Sequence, residues 1–122
     1  MNNFKNAEER FLVSVYVPTV TKNGDVIRTR DHDDWVEIIS TRLAAFYGGV
    51  TSYRAAGGWV DDFGSLVKEE VTVVNSYATF DCFNSEIVQE KLLALCDVMR
   101  SSLNQTEIAL FVNGKYLGVR EH

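Results

Sequence analysis

Hydrophobic and polar positions first alternate along the chain at Arg10 to Val20, where Phe11, Val13, Val15 and Val17 fall on one side and Leu12, Ser14 and Tyr16 on the other. A period of two predicts a β-strand. Pro18 has no N–H to give to a ladder, so it belongs at the strand's end or on an edge. Lys22-Asn23-Gly24-Asp25 carries the turn chemistry of a tight hairpin, after which Val26 to Arg28 can pair back briefly.

The period then changes. Trp35, Ile38, Ile39, Arg42, Leu43 and Phe46 recur at helical spacing and predict one face of an α-helix. Asp31-His32-Asp33-Asp34 precedes them as a helix start, with Asp34 and Glu37 at capping-box spacing and negative charge where the helix dipole favours it. Gly48-Gly49 supplies the stop. Val50 to Arg54 reads as a second strand, which Ala55-Ala56-Gly57-Gly58 is expected to interrupt with a bulge or bend before Trp59 and Val60.

Asp61-Asp62-Phe63-Gly64-Ser65 is a turn, and Leu66 to Tyr77, rich in β-branched residues, is the longest strand pattern. The second and third strands therefore form an antiparallel hairpin. After a connector from Ala78 to Phe83, Asn84 or Ser85 caps a second helix marked by Val88, Leu92, Leu95, Met99 and Leu103. Glu107 to Val112 alternates as a last strand, and Asn113-Gly114 turns it toward Tyr116, Leu117 and Val119.

The order β-α-β-β-α-β predicts one α+β domain over residues 1–122, of the ferredoxin-like kind, with a four-stranded antiparallel sheet and two helices on one face. Small hairpin extensions follow the first and last strands. The opposite sheet face stays uncovered and partly apolar, a surface suited to a second copy of the chain or to a ligand.

At 122 residues with 46% hydrophobic and 24% charged residues, the chain has the make-up of a folded domain and room for one core. A net charge of −5 with scattered Lys and Arg offers no stripe for phosphates, which argues against nucleic acid and anionic membrane as partners. Met1 to Arg10 lacks a signal-peptide core and no stretch approaches membrane-span length, so a cytoplasmic location is expected. Cys82 and Cys96 are too few for a disulfide framework and are not spaced as a metal pair.

Asp33-Asp34-Trp35 at the first helix, Gly49-Val50-Thr51 entering the second strand, Gly58-Trp59 after it, and Gly64 to Glu69 leading into the third strand form a recognisable order. Over Tyr16 to Val74 this order resembles the DUF3574-like domains, small bacterial proteins without an established activity. The resemblance implies the same fold and a bacterial or phage setting, and it supplies no reaction. The Asn23-Gly24 insertion and the C-terminal third depart from that pattern.

The segment Gly57 to Gly64 holds two aromatics and two carboxylates between flexible glycines. It reads either as a ligand-contacting loop, with Trp59 as stacking platform and Asp61 or Asp62 as polar anchor, or as a tight hairpin whose Trp covers the core. Glu69 shares a strand face with Val67, Val71 and Val73. Burial of that face makes it a general acid or base, whereas a position at the strand's end leaves it solvated.

Asp31, His32, Asp33 and Asp34 fit helix capping better than metal binding, and His122 is terminal. No GxSxG, GxxxxGK[ST], HExxH or CxxC pattern occurs. No cofactor or metal is expected. The leading functional expectation is a non-catalytic binding or interaction module, a homodimer through the open sheet face, contacting a small-molecule or protein partner.

Two alternatives stand beside it. One is a small dimeric α+β barrel-type enzyme, an isomerase, lyase or hydrolase, with Glu69 as acid or base in a pocket walled by Trp59, Phe63 and Tyr77. The other is a phage or mobile-element accessory protein that binds a host factor through its acidic surface.

Overall fold

The computed structural model describes residues 4–121; Met1 to Asn3 and the expectation about His122 lie outside them. In chain order the elements are β1 (Phe11–Pro18), α1 (Thr29–Tyr47), β2 (Thr51–Val60), β3 (Leu66–Ala78), α2 (Phe80–Phe83), α3 (Glu86–Ser102), β4 (Glu107–Val112) and β5 (Lys115–Arg120). The α+β class is as expected. The strands form one sheet in the order β2-β3-β1-β4-β5, and every neighbouring pair is antiparallel.

The sheet has five strands, not four. Asn113 and Gly114 both take positive φ, 48° and 85°, as a two-residue hairpin requires. The returning chain then pairs with β4 along its whole length, from Val112 opposite Lys115 to Glu107 opposite Arg120. The last extension is thus a full strand, whereas the one after β1 is a single bridge between Val20 and Val26. Three helices are present among the described residues rather than two, because Phe80–Phe83 closes one helical turn, with the Thr79 hydroxyl accepting from the Cys82 N–H.

One face of the sheet holds the core. Val13, Val15 and Val17 of β1, Val74 and Ala78 of β3, Ile108 and Leu110 of β4 and Val119 of β5 all point to it. There they meet Ile39, Leu43 and Tyr47 of α1 and Leu92, Cys96 and Met99 of α3. Ser85 caps α3 by accepting from the Val88 N–H, which satisfies one of the free donors of the first turn.

Helix α1 begins earlier than its aspartates suggest. Arg28 occupies the cap position without a side-chain cap bond, and Asp31 pairs instead with Arg28 at 2.9 Å. Asp34 and Glu37 therefore lie inside the helix and form no capping box. The cause is His32, only 2% exposed, whose Nδ1 lies 2.8 Å from the Pro18 carbonyl and whose Nε2 lies 2.8 Å from Thr72 Oγ1.

A carbonyl only accepts, so Nδ1 donates to Pro18, and the Thr72 hydroxyl, able to donate or accept, completes the bridge at Nε2. This bridge pins the first turn of α1 to β1 and β3. It also rotates the buried stripe to His32, Ile39, Leu43 and Tyr47, leaving Ile38 and Arg42 exposed where the sequence spacing placed them inward.

The expected bulge in β2 is absent. Each residue from Thr51 to Val60 pairs in unbroken register with Asn75 back to Leu66, and Gly58 serves a close approach instead. A Cβ added at Gly58 would stand 3.0 Å from Leu66 Cδ1 and 3.4 Å from the Val67 carbonyl.

Replacing His32 by Leu strands a buried carbonyl and a buried hydroxyl, each worth about 1–3 kcal/mol. A loss of about 2–4 kcal/mol is expected from urea midpoints at unchanged m value, with Thr72→Val costing less because Pro18 keeps its donor.

Candidate functional site

Pairing of β1 with β3 stops at Pro18 opposite Val71. Beyond that point Leu66 to Glu70 pair only with Ala56 to Val60 of β2, so the end of the hairpin projects as a two-stranded arm. Its tip is apolar and wet, with Phe63 93% and Trp59 54% exposed and Val60 and Leu66 also open. The Asp61 carboxylate accepts from the Phe63 and Ser65 N–H groups, each at 2.9 Å, and Gly64 takes a φ of 79°. Asp61 thus holds the turn together, while Asp62 faces solvent.

Glu69 stands opposite Gly57 in the register. By strand alternation its side chain shares the helix-free face with Val67 and Val71 on its own strand and with Ala55 and Trp59 across from it. It is half-buried and forms no ion pair among the described residues. Glu70, on the other face, pairs with Arg54 at 3.2 Å, and its carbonyl accepts from Thr19 Oγ1 at 2.5 Å, tying the arm's base to the body.

A Cβ added at Gly57 would meet only the Glu69 carbonyl, at 3.9 Å. The space beside the carboxylate is therefore open. The result is a low, partly apolar strip of sheet surface with the Glu69 carboxylate in it and the Trp59 ring toward the arm's tip.

The site residues expected from sequence do not all converge. Tyr77 pairs with Leu12 at the other end of β3, ten positions from Val67, the residue opposite Trp59; at a strand rise of ~3.3 Å per residue that is roughly 33 Å. Trp59, Phe63 and Tyr77 hence do not wall one pocket within a single chain. His32 has both ring nitrogens engaged, and among the described residues no group of three or more His, Cys, Asp or Glu side chains is placed to hold a metal.

A second cluster on the open face escaped the sequence reading. Tyr16 and Phe111 lie tilted against each other with ring centres 4.8 Å apart, and Tyr116 meets Phe111 edge-on at 5.3 Å. The Tyr116 hydroxyl donates to Glu107, whose other oxygen lies 3.7 Å from Arg120 Nε. Glu107 fills the space over Gly118, where an added Cβ would come within 2.5 Å of it. The parity of Glu107, Tyr116, Gly118 and Arg120 about the Asn113-Gly114 turn was the available signal.

The hydrogen bond to Glu107, aided by burial, pushes the Tyr116 hydroxyl up to about 12. Burial likewise pushes the Cys96 thiol up to about 12. No helix among the described residues is long and apolar enough to cross a membrane.

No family model matches the chain, and no curated protein matches it. Among solved structures it is similar to a phage SAM lyase in complex with S-methyl-5'-thioadenosine, over 94% of this chain and 92% of that one, with a TM-score of 0.61 and 13% identity. The phage SAM lyase in its apo state matches over 92% and 90%, with a TM-score of 0.59 and 13% identity. A Bacillus cereus protein related to NIF3 matches over 90% of this chain but 26% of its own, with a TM-score of 0.50 and 18% identity. At these identities the likeness shows a shared fold.

The raised Tyr116 hydroxyl carries a pH signature. Its folded pKa exceeds the unfolded 10.0, so the neutral hydroxyl stabilises the fold below about pH 10, and that contribution disappears as pH climbs through 12. Denaturant midpoints should fall over this window, and Tyr116→Phe should make the fall shallower, with the buried Cys96 thiol keeping part of it.

Proposed function

We propose that the chain is a ferredoxin-like domain extended by a fifth strand, self-associating and cytoplasmic, which acts in a bacterial or phage setting as a small lyase on S-adenosylmethionine. One observation carries the reading: the unpaired Glu69 carboxylate set among Ala55, Gly57, Trp59, Val67 and Val71 on a helix-free sheet face. That arrangement suits a cation with an apolar body. A sulfonium nucleoside is such a ligand, and the nucleoside bound by the phage lyase of similar fold is what remains when the amino-acid arm of S-adenosylmethionine is removed.

The chemistry asks little of the protein. Breaking the bond between the sulfonium sulfur and the amino-acid arm sends the electron pair to sulfur and leaves a neutral thioether. The four-carbon fragment restores its valence from its own electrons, either by losing a proton or by closing its carboxylate onto the carbon. Because the leaving group is already cationic, no metal, cofactor or protein nucleophile is required.

Poorly hydrated surroundings favour a step in which charge disappears, and Trp59 offers its face to the sulfonium or the adenine. Glu69 orients the cation and accepts the proton where one is lost. A second copy lying against the open face would cover the strip, which one chain leaves bare.

Incubation with S-adenosylmethionine, followed by chromatography, should show S-methyl-5'-thioadenosine accumulating. Glu69→Gln should lower the rate at least about 100-fold, the low end for acid–base groups, while Glu70→Gln on the opposite face stays within about twofold. Gly57→Val should suppress turnover at near-unchanged stability, since its Cβ fits. Light scattering should give a mass that is a multiple of 13.8 kDa. Absence of both turnover and nucleoside binding would overturn the proposal.

The exposed Trp59 and Phe63 at the arm's tip favour a second reading, a non-catalytic homo-oligomeric module that engages a protein or small-molecule partner. Nucleoside binding without turnover by the wild-type protein would select it.

A further inference from the structure

On the helix-covered side, distant from Glu69 in the fold, a second cavity of about 220 Å³ opens between α3 and the sheet. Val13, Leu110 and Val112 line it from the strands, Leu92 from α3, Phe83 from α2 and Tyr47 from the end of α1. Gln89 is the one other polar lining residue, and its amide already donates to the Phe83 carbonyl at 2.8 Å. No charged side chain borders the cavity.

Tyr47 sets this cavity apart from a packing gap. The residue is 7% exposed and its ring meets Phe46 edge-on, yet its hydroxyl makes no hydrogen bond among the described residues. The oxygen itself is not sealed off, since no fully buried side-chain oxygen among the described residues lacks a partner; it stays open to a ligand's hydrogen-bonding group. Burial, with Cys82 and Cys96 nearby, holds this hydroxyl above its usual range, so it remains a neutral donor at ordinary pH.

We propose that this cavity is a binding site for a small neutral ring compound carrying one hydrogen-bonding group, which takes up the free Tyr47 hydroxyl. Apolar walls and the lack of any cation or anion in the lining select against charged ligands. A dry cavity of roughly 150 Å³ accommodates benzene, so the larger volume here admits a substituted ring. Leu117, partly exposed, stands at the mouth.

Phenol and toluene, which differ by a hydroxyl against a methyl, are the probes, with benzoate as the charged control. Titrations followed by protein NMR should show saturable shifts for both neutral probes, phenol binding about 3–10-fold more tightly, as one net hydrogen bond implies. Tyr47→Phe should erase that preference by weakening phenol alone. Leu117→Trp, at the exposed mouth, should abolish binding of both.

Glu69→Gln should leave these titrations unchanged, which separates this site from the proposed lyase site. No saturable binding of either probe, or benzoate binding as well as phenol, overturns the site. An unaltered phenol-to-toluene ratio in Tyr47→Phe overturns the role of its hydroxyl. Should Tyr47→Phe fail to fold, retention of binding in Leu117→Trp overturns the assignment to this cavity.

Discussion

The central constraint is the burial of Val13, Val15 and Val17, at most 1% exposed, by helices that all lie on one side of β1. Strand β1 sits between β3 and β4, so its side chains must satisfy two environments that alternate every residue. The odd positions, Phe11 and three valines, are all apolar and close the core; each buried valine contributes on the order of 1.5–3 kcal/mol. The even positions, Leu12, Ser14 and Tyr16, are held only by their neighbours in the sheet. Because α1, α2 and α3 all serve the same face, the other has no covering layer of its own.

What happens on that second face follows from where β1 ends. Pro18 cannot extend the ladder as a donor, and its carbonyl is taken by His32. Strand β3 runs on past it with β2 alone, so the hairpin leaves the body as an arm whose two faces are both accessible. On one face Arg54 and Glu70 form an exposed ion pair, worth little in water. On the other, small residues in β2 keep the surface low around Glu69. The run Ala55 to Gly58 therefore has a positive role, as a wall without height rather than a break in the strand.

Much of this was legible in the sequence. The two-residue period of β1, the helical spacing of Leu92, Leu95 and Met99, and the turn at Asn113-Gly114 each depend on local chemistry that neighbouring residues determine. The departures share a different cause. The start of α1 was misplaced because His32 is recruited by Pro18 and Thr72, partners 14 and 40 residues away. The glycines of β2 suggested a bulge because backbone freedom is local, whereas the ladder with β3 that overrides it is not.

The site divides the same way. Glu69 was visible from period-two counting, but Tyr77 was grouped with Trp59 and Phe63 although register places it at the opposite end of β3. The cluster around Glu107 and Tyr116 needed the pairing of β4 with β5 before its members could be seen together.

The account rests on a ligand meeting the helix-free face at the base of the arm. Amide hydrogen exchange with and without saturating S-methyl-5'-thioadenosine tests this most directly. Slowed exchange concentrated at residues 55–60 and 66–71 is the expected result. Exchange unchanged there, with protection appearing instead on α1 or α3, would contradict it.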